Sequence, residues 1–263
     1  MYRRSLRFLT VIILLMGLGC VTTDTKQSGK ELPQLKEQSI ILTTDDKKDI
    51  FATYYPSPST NAPGVILIPD TRCDRSFYGD FAANLNKAGF AVLSMDLRYK
   101  DLIARAGSKD EAIDLIKRQD LYAPIKYDIK SAIDFLANQK GVDPGRIALI
   151  GASFGSREAL ISGVRYKKVK ALVLVSLSGK EAIPGGKTVK VLLEEYGTRP
   201  ILFMTSEGDW GGNYKAAEHN KKYVKWAKGK KELKIWPGSE HGLSIIDNEE
   251  ASDFVVLWLK SNL

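Results

Sequence analysis

Short apolar runs alternate with longer amphipathic stretches along most of the chain, and this alternation constrains the fold more than any other feature. The apolar runs have the length of buried strands, and the stretches between them have the periodicity of helices. Strands that alternate with helices at this spacing form βαβ units with right-handed crossovers and a mainly parallel sheet. The predicted strands are Val65–Ile68, Phe90–Met95, Ile147–Ile150, Val169–Val175, Ile201–Thr205 and Leu233–Trp236, and the predicted helices are Ser76–Ala88, Pro124–Gln139, Phe154–Val164, Asn213–Ala227 and Asn248–Lys260.

The region before the first parallel strand has a different pattern. Two short apolar runs, Ser39–Thr43 and Ile50–Tyr55, flank a charged segment and predict an antiparallel hairpin that ends at Pro56. The sequence from Gln38 onward contains no internal repeat and no Pro/Gly-rich linker. We therefore predict one α/β domain over residues 38–263.

The first 19 residues have the pattern of an export signal. A basic start with three arginines precedes the apolar run Phe8–Gly19, which is too short to span a bilayer comfortably as a permanent helix. The run ends at Cys20 and turns polar, so it resembles a bacterial lipoprotein signal whose cysteine is lipidated. Gly17 stands where such signals usually have Leu, which leaves an ordinary secretory signal or an uncleaved anchor open.

These features predict a signal peptide over residues 1–19 and a tether over residues 20–37. The predicted protein is exported and anchored in a membrane through a lipid at Cys20, facing the periplasm or the cell exterior. A soluble secreted or periplasmic protein is the alternative.

The basic charge balance does not point to nucleic acid. The net charge of +8 falls to +5 without the first 19 residues, because these contain three arginines and no acidic residue. Much of the remaining excess lies in a lysine-rich segment, residues 221–234, where Tyr223 and Trp226 are spaced to face the core while the lysines face solvent. We predict no nucleic-acid partner, and attraction to an anionic membrane surface stays open.

Metal-binding patterns are missing from the sequence. Cys20 and Cys73 are the only cysteines, and the only histidines, His219 and His241, lie 22 residues apart. Neither pair has the spacing of a structural zinc site. We predict no metal ion.

A Gly-x-Ser-x-Gly motif, residues 151–155, lies between a predicted strand and a predicted helix. A nucleophilic serine needs a sharp turn at this place so that its hydroxyl projects above the sheet, and the turn leaves room only for small residues at Gly151 and Gly155. The N-terminus of the following helix also favours the negative charge that develops at a reacting carbonyl. We therefore predict that Ser153 is a nucleophile, in preference to a serine in a structural turn.

A serine hydroxyl is a weak nucleophile at neutral pH, so it needs a base and a carboxylate that orients the base. His241 lies in the loop after the last predicted strand, whereas His219 lies within the lysine-rich helix, so His241 is the predicted base. Asp209 follows the strand before it and is the predicted acid, with Glu207 as the alternative. The resulting order Ser, Asp, His is the one that α/β-hydrolases use.

Several segments together resemble α/β-hydrolases of the dienelactone hydrolase-like type. The resemblance implies an α/β-hydrolase fold from about residue 40 to the last residue, with a mainly parallel twisted sheet, helices on both faces and an antiparallel N-terminal hairpin. It also implies a structural role for Asp96. The matching segments are the strand and loop Val65–Asp70, the strand Gly89–Arg98, the motif Gly151–Gly155, the acid loop Glu207–Asp209 and the histidine loop Pro237–Gly242.

The resemblance implies an oxyanion hole formed by two backbone N–H groups, those of Phe154 and Thr71, with Arg72 as the fallback for the second. The sequence departs from the family here, because Pro69-Asp70 replaces the family's His-Gly. A carboxylate aimed at a developing oxyanion is unfavourable, so we expect Asp70 to cap or brace its loop. Cys73 is expected to be a small buried apolar residue.

The implied activity is that of a carboxylesterase-like serine hydrolase that works through an acyl-enzyme and needs no cofactor. The substrate is expected to be a small-molecule or lipid ester. Only 25 residues, Ser176–Pro200, lie where many relatives insert a lid, and the other candidate insertion, Arg98–Ala123, has room for about one helix, so no large cap domain is expected. Phe154, Tyr99 and Trp210 are candidate pocket walls.

Three alternatives stay open at this stage: a noncatalytic binding protein on the same fold, a serine peptidase, and an acyltransferase. The sequence does not determine the oligomeric state.

Overall fold

The computed structural model describes residues 36–177, 187–209 and 215–263, and all of these belong to one compact unit. The predictions for the signal peptide, for Cys20, for nearly all of the tether and for Trp210 lie outside the described residues. Within the described residues, no helix has the length and apolar character needed to cross a membrane.

The described residues form an eight-stranded sheet whose strand order is β1-β2-β4-β3-β5-β6-β7-β8. β2 runs antiparallel to both of its neighbours, and all other neighbouring strands are parallel. The strands are β1 (Gln38–Thr43), β2 (Asp49–Tyr55), β3 (Ala62–Ile68), β4 (Ala91–Met95), β5 (Val142–Ala152), β6 (Val169–Val175), β7 (Ile201–Ser206) and β8 (Lys231–Trp236). The predicted hairpin and the predicted mainly parallel sheet are confirmed.

Helices cover both faces of the sheet. Successive strand residues alternate between two buried apolar clusters, with Val65 in one and Ile66 in the other, as expected for strands buried on both faces. One cluster also contains side chains of α1, α8 and α9, and the other contains side chains of α4 to α7. The helices are α1 (Gly79–Lys87), α2 (Lys100–Arg105), α3 (Lys109–Arg118), α4 (Ile125–Ala137), α5 (Phe154–Arg165), α6 (Val189–Tyr196), α7 (Ala216–Trp226), α8 (Leu243–Ile246) and α9 (Glu249–Asn262).

Some element boundaries differ from the predictions for identifiable reasons. The first predicted helix begins with a 3-10 turn, Arg75–Tyr78, because Asp74 caps it by accepting a hydrogen bond from a backbone N–H. β5 begins at Val142 instead of Ile147, because a register shift lets Val142 pair with Ala62 ahead of the main ladder.

Three helices were not predicted. The segment after Arg98 contains α2 and α3 where the sequence suggested a single helix. α6 lies in the short connection after β6 and begins at Thr188, whose side chain accepts a hydrogen bond from the Val191 N–H. α8 has four residues, which is too short for a periodic pattern to reveal.

The parallel strands set the position of the candidate site. Because β3, β5, β7 and β8 all point the same way, the loops that follow them meet at one edge of the sheet. Those loops contain Asp70, Ser153, Asp209 and His241.

Candidate active site

Ser153 lies at the sharp turn between β5 and α5. Its backbone has φ 51° and ψ −113°, a left-handed conformation that is rare for a residue with a side chain. A Cβ on Gly151 would overlap the backbone of Gly155, and a Cβ on Gly155 would overlap the carbonyl groups of Ile68 and Pro69. The close approach of these segments therefore requires the two glycines of the motif.

The structure brings Ser153, His241 and Asp209 together in one hydrogen-bonded chain. His241 Nε2 lies 2.8 Å from Ser153 Oγ, and His241 Nδ1 lies 2.6 Å from Asp209 Oδ1. A carboxylate can only accept, so Nδ1 carries the proton and Nε2 is left to accept from the serine hydroxyl. The Asp209 side chain is fully buried, whereas 23% of the His241 side chain is exposed to solvent. The imidazole is therefore oriented from its buried side and open to substrate on the other.

Asp209 is held by three donors. Besides the contact with His241, its Oδ2 accepts hydrogen bonds from Ser176 Oγ at 2.5 Å and from Thr205 Oγ1 at 2.8 Å. Burial acts to raise the pKa of this carboxyl, but the hydrogen bonds from His241, Ser176 and Thr205 outweigh it and lower the pKa below its ordinary value. Asp209 is therefore an ionised acceptor at neutral pH.

Ser176 is a site residue that the sequence analysis missed. It directly follows β6, is fully buried, and has a left-handed backbone with φ 51°. Its hydroxyl donates to Asp209 and accepts from the Gly242 N–H at 2.8 Å, so it links the acid loop to the residue after His241. A polar residue at the carboxyl end of a strand between the nucleophile and acid strands is the signal that could have revealed it.

The alternative acid and base lie elsewhere. Glu207 is exposed, and its backbone N–H is tied to the Trp236 carbonyl at 2.8 Å. His219 lies in α7 with its Nδ1 3.5 Å from Tyr223 Oη. In the described contacts, neither side chain meets Ser153 or its partners.

The predicted oxyanion-hole residues lie on the elbow and on the loop after β3. Phe154 is the first residue of α5, so its N–H has no acceptor within the helix. Asp70 and Cys73 close a turn through a hydrogen bond of 3.1 Å from the Cys73 N–H to the Asp70 carbonyl. This bond leaves the N–H groups of the two central residues, Thr71 and Arg72, free of the turn's own hydrogen bond.

Asp70 does not brace its loop as expected. Among the described residues its side chain makes no hydrogen bond and no ion pair, although only 8% of the residue is exposed. Its Oδ2 lies 3.5 Å from the position that a Cβ on Gly242 would occupy, and Ser153 Cβ lies 3.6 Å from the same position. The carboxylate is therefore close to the nucleophile.

The neighbouring cysteine and aspartate have structural environments. Burial, together with the negative charge of Asp70, raises the pKa of the Cys73 thiol to about 11, so the thiol stays protonated at neutral pH. Asp96 accepts a hydrogen bond from the Arg75 N–H at 2.8 Å and pairs with Lys100 at 3.1 Å, which fixes the loop after β4.

An aromatic group lines one side of the elbow. The ring of Phe154 lies 5.9 Å from that of Tyr99 and 5.3 Å from that of Tyr122. The Arg157 guanidinium stacks over Phe154 at 4.5 Å. Two of the three predicted wall residues, Phe154 and Tyr99, are therefore in contact, while Trp210 lies outside the described residues.

The described residues contain no group of three or more His, Cys, Asp or Glu side chains that could hold a metal ion. The candidate chemistry therefore rests on the side chains and backbone groups described above.

Comparison with known proteins assigns the family. The sequence model of the dienelactone hydrolase family matches residues 51–253. The chain belongs to the dienelactone hydrolase family. The matched range includes the elbow, the acid loop and the histidine loop. Membership in this family supports an ester-hydrolysing activity.

The structure of this dienelactone hydrolase family member is similar to several solved structures. A dienelactone hydrolase from Anabaena variabilis has a TM-score of 0.62 and 17% identity, covering 88% of this chain and 97% of the other. A cold-adapted esterase from an Arctic intertidal metagenomic library has a TM-score of 0.66 and 18% identity, covering 86% and 93%. An esterase of Pyrobaculum calidifontis has a TM-score of 0.61 and 19% identity, covering 87% and 86%. These likenesses confirm the α/β-hydrolase fold.

Two curated relatives are uncharacterized proteins from two strains of Mycobacterium tuberculosis. Each is 30% identical to this family member over 140 residues, which are 53% of this chain. The match spans 45% of the length of each of these relatives.

Proposed function

We propose that this protein is a serine carboxylesterase in which Ser153, His241 and Asp209 act as a catalytic triad. The observation that carries the proposal is the unbroken hydrogen-bond chain from Asp209 through His241 to Ser153, built on a strained elbow at the carboxyl edge of the sheet. Nucleophile, base and orienting acid then have the mutual geometry that acyl transfer requires.

In the proposed reaction, His241 Nε2 takes the proton from Ser153 Oγ as this oxygen attacks the ester carbonyl carbon. The backbone N–H groups of Phe154 and Thr71 stabilise the oxyanion that forms. The protonated imidazole then gives its proton to the leaving alkoxide, which leaves an acyl-enzyme. Water attacks the acyl-enzyme, His241 takes a proton from it, and the acid product departs as Ser153 recovers its proton.

Asp209 stays ionised throughout the proposed cycle. Its lowered pKa keeps the carboxylate negative at neutral pH, and the negative charge stabilises the imidazolium that forms twice per turnover. The hydrogen bonds from Ser176 and Thr205 fix the other carboxylate oxygen, so the carboxylate cannot rotate away from His241.

Labelling with a fluorophosphonate probe tests the nucleophile. We expect the purified full-length chain to bind one probe per molecule, the Ser153→Ala variant to bind none, and the His241→Ala variant to react far more slowly. His219→Ala is the matched control, because it removes the other histidine, and it should label like the wild type. Turnover of short-chain nitrophenyl esters should follow the same pattern.

Other outcomes would replace the proposal. A well-folded chain that does not label would favour a noncatalytic binding protein on this fold. Labelling together with faster cleavage of peptides than of esters would favour a serine peptidase.

The proposed location is the cell envelope, with the protein exported and attached to a membrane by a lipid on Cys20. The basic and apolar start of the chain supports this location. In a bacterial host, an alkyne fatty acid should be incorporated into the wild type and into Cys73→Ala, and lost in Cys20→Ala. Incorporation that survives the Cys20 substitution would contradict the lipid anchor.

A further inference from the structure

The loop after β3 brings a second carboxylate to the candidate nucleophile. Asp70 Oδ2 and Ser153 Cβ lie 3.5 Å and 3.6 Å from one point, the position that a Cβ on Gly242 would occupy. Gly242 directly follows His241. The Asp70 carboxylate therefore lies next to both the serine loop and the histidine loop.

This carboxylate has no partner within the described part of the chain. It makes no hydrogen bond there, and it forms no ion pair even with Arg72, two residues along. Its oxygens are also not among the described side-chain polar atoms that are sealed from solvent without a partner. Since the residue as a whole is only 8% exposed, the carboxylate group reaches solvent through a narrow opening at the site. A carboxylate buried to this extent ordinarily has a cationic or hydrogen-bonding partner.

The charge of Asp70 opposes the reaction of a neutral ester. The oxyanion of the proposed mechanism develops on the carbonyl group that bonds to Ser153 Oγ, and a fixed negative charge close by raises the energy of that transition state. The same charge acts on another neighbour, since it contributes after burial to the raised pKa of Cys73. The penalty disappears when the substrate itself brings a positive charge to Asp70.

We propose that Asp70 is a specificity-determining residue that selects esters carrying a cationic group, a primary or quaternary ammonium, within a few atoms of the scissile carbonyl. The inference rests on the proposed esterase function. The substrate ammonium supplies the partner that the carboxylate lacks among the described residues, and it cancels the negative charge beside the developing oxyanion. Both effects favour the cationic ester over a neutral ester of the same shape.

Matched substrate pairs test this selectivity in the wild type alone. Butyrylcholine and 3,3-dimethylbutyl butyrate differ in one charged nitrogen on the alcohol side, and alanine and propionate nitrophenyl esters place the charge on the acyl side. After correction for the hydroxide-catalysed rates, we expect kcat/KM to favour the cationic member of at least one pair by about 10- to 100-fold, as for a hydrogen bond to a charged group.

The Asp70→Asn variant tests the residue. The preference should fall to less than about threefold, through a lower kcat/KM for the cationic ester and a higher one for the neutral ester. Asp80→Asn is the matched control, because it removes an exposed carboxylate at the start of α1, and it should keep the preference. Fluorophosphonate labelling of each variant reports whether its site is folded.

The outcomes separate this inference from the proposed function. Labelling and neutral-ester hydrolysis without any cationic preference in the wild type would overturn the role of Asp70 and leave the esterase proposal standing. A preference that survives in a folded Asp70→Asn variant would do the same. A chain that neither labels nor hydrolyses any ester would overturn both.

Discussion

Asp70 and Asp209 are both buried aspartates in loops at the carboxyl edge of the same sheet, yet their surroundings are opposite. Asp209 is 2% exposed and accepts hydrogen bonds from His241, Ser176 and Thr205. The side chain of Asp70 accepts none from the described residues, and the residue is 8% exposed. Both lie close to Ser153, the first through His241 and the second across Gly242.

The difference shows how one residue type serves two purposes in one site. A carboxylate with all its acceptor positions used is fixed in place, which suits a group that must orient an imidazole. A carboxylate with free acceptor positions stores an unfavourable interaction, which suits a group that waits for a charged ligand. The number of donors around each aspartate therefore predicts whether its removal damages the reaction or changes the choice of substrate.

The largest expected effect is that of Asp209→Asn. The amide cannot stabilise the imidazolium and leaves His241 without its fixed tautomer, so kcat on a short-chain nitrophenyl ester should fall by about a thousandfold to ten-thousandfold. Glu207→Gln is the control, because it changes the exposed alternative acid of the same loop, and it should keep nearly full activity. The reverse result would make Glu207 the orienting acid.

A smaller effect is expected from Ser176→Ala. The substitution removes one donor from Asp209 and one acceptor from the Gly242 N–H, so kcat should fall by about 10- to 100-fold. Because Ser176 acts through Asp209 and does not contact substrate, KM should change little. Ser162→Ala removes a buried hydroxyl from α5 and should leave kcat unchanged. Equal losses in the two variants would assign Ser176 a purely structural role.

The fold could be predicted from the sequence because its signals are local. Strands buried on both faces read as continuous apolar runs, and β6 begins and ends at the predicted residues, Val169 and Val175. The four-residue α8 and the capped α6 were missed, because their signals are one turn of helix and one hydrogen bond from Thr188.

The candidate site could be predicted only in part. Ser153, Asp209 and His241 follow strands that the pattern locates, so their approach to one another follows from the parallel sheet. The role of Ser176 depends on β6 lying between β5 and β7 and on a left-handed backbone, neither of which is a local property. The expectation for Asp70 was wrong because the direction of its side chain depends on how closely the Gly242 turn approaches it.

The smallest expected effect is on stability, where the two aspartates should have opposite signs. At pH 7, Asp70→Asn removes a buried charge that has no partner among the described residues, and it should raise the free energy of unfolding by about 1 kcal/mol. Asp209→Asn leaves buried donors poorly paired and should lower it by about 1–3 kcal/mol. Thermal unfolding of both variants beside the wild type measures the contrast, and a loss of stability in Asp70→Asn would show that its carboxylate has a stabilising partner.

The pH dependence of this contrast sharpens the last prediction. The pKa of Asp209 is lower in the folded protein than its ordinary value of 3.8, so the carboxylate contributes stability above that value and loses it as pH falls through the lowered pKa. The amide of the Asp209→Asn variant does not titrate, and the gap in Tm between wild type and variant should therefore narrow as the pH drops below about 4. A gap that stays constant to about pH 2 would mean that the three hydrogen bonds to Asp209 do not favour its charged form.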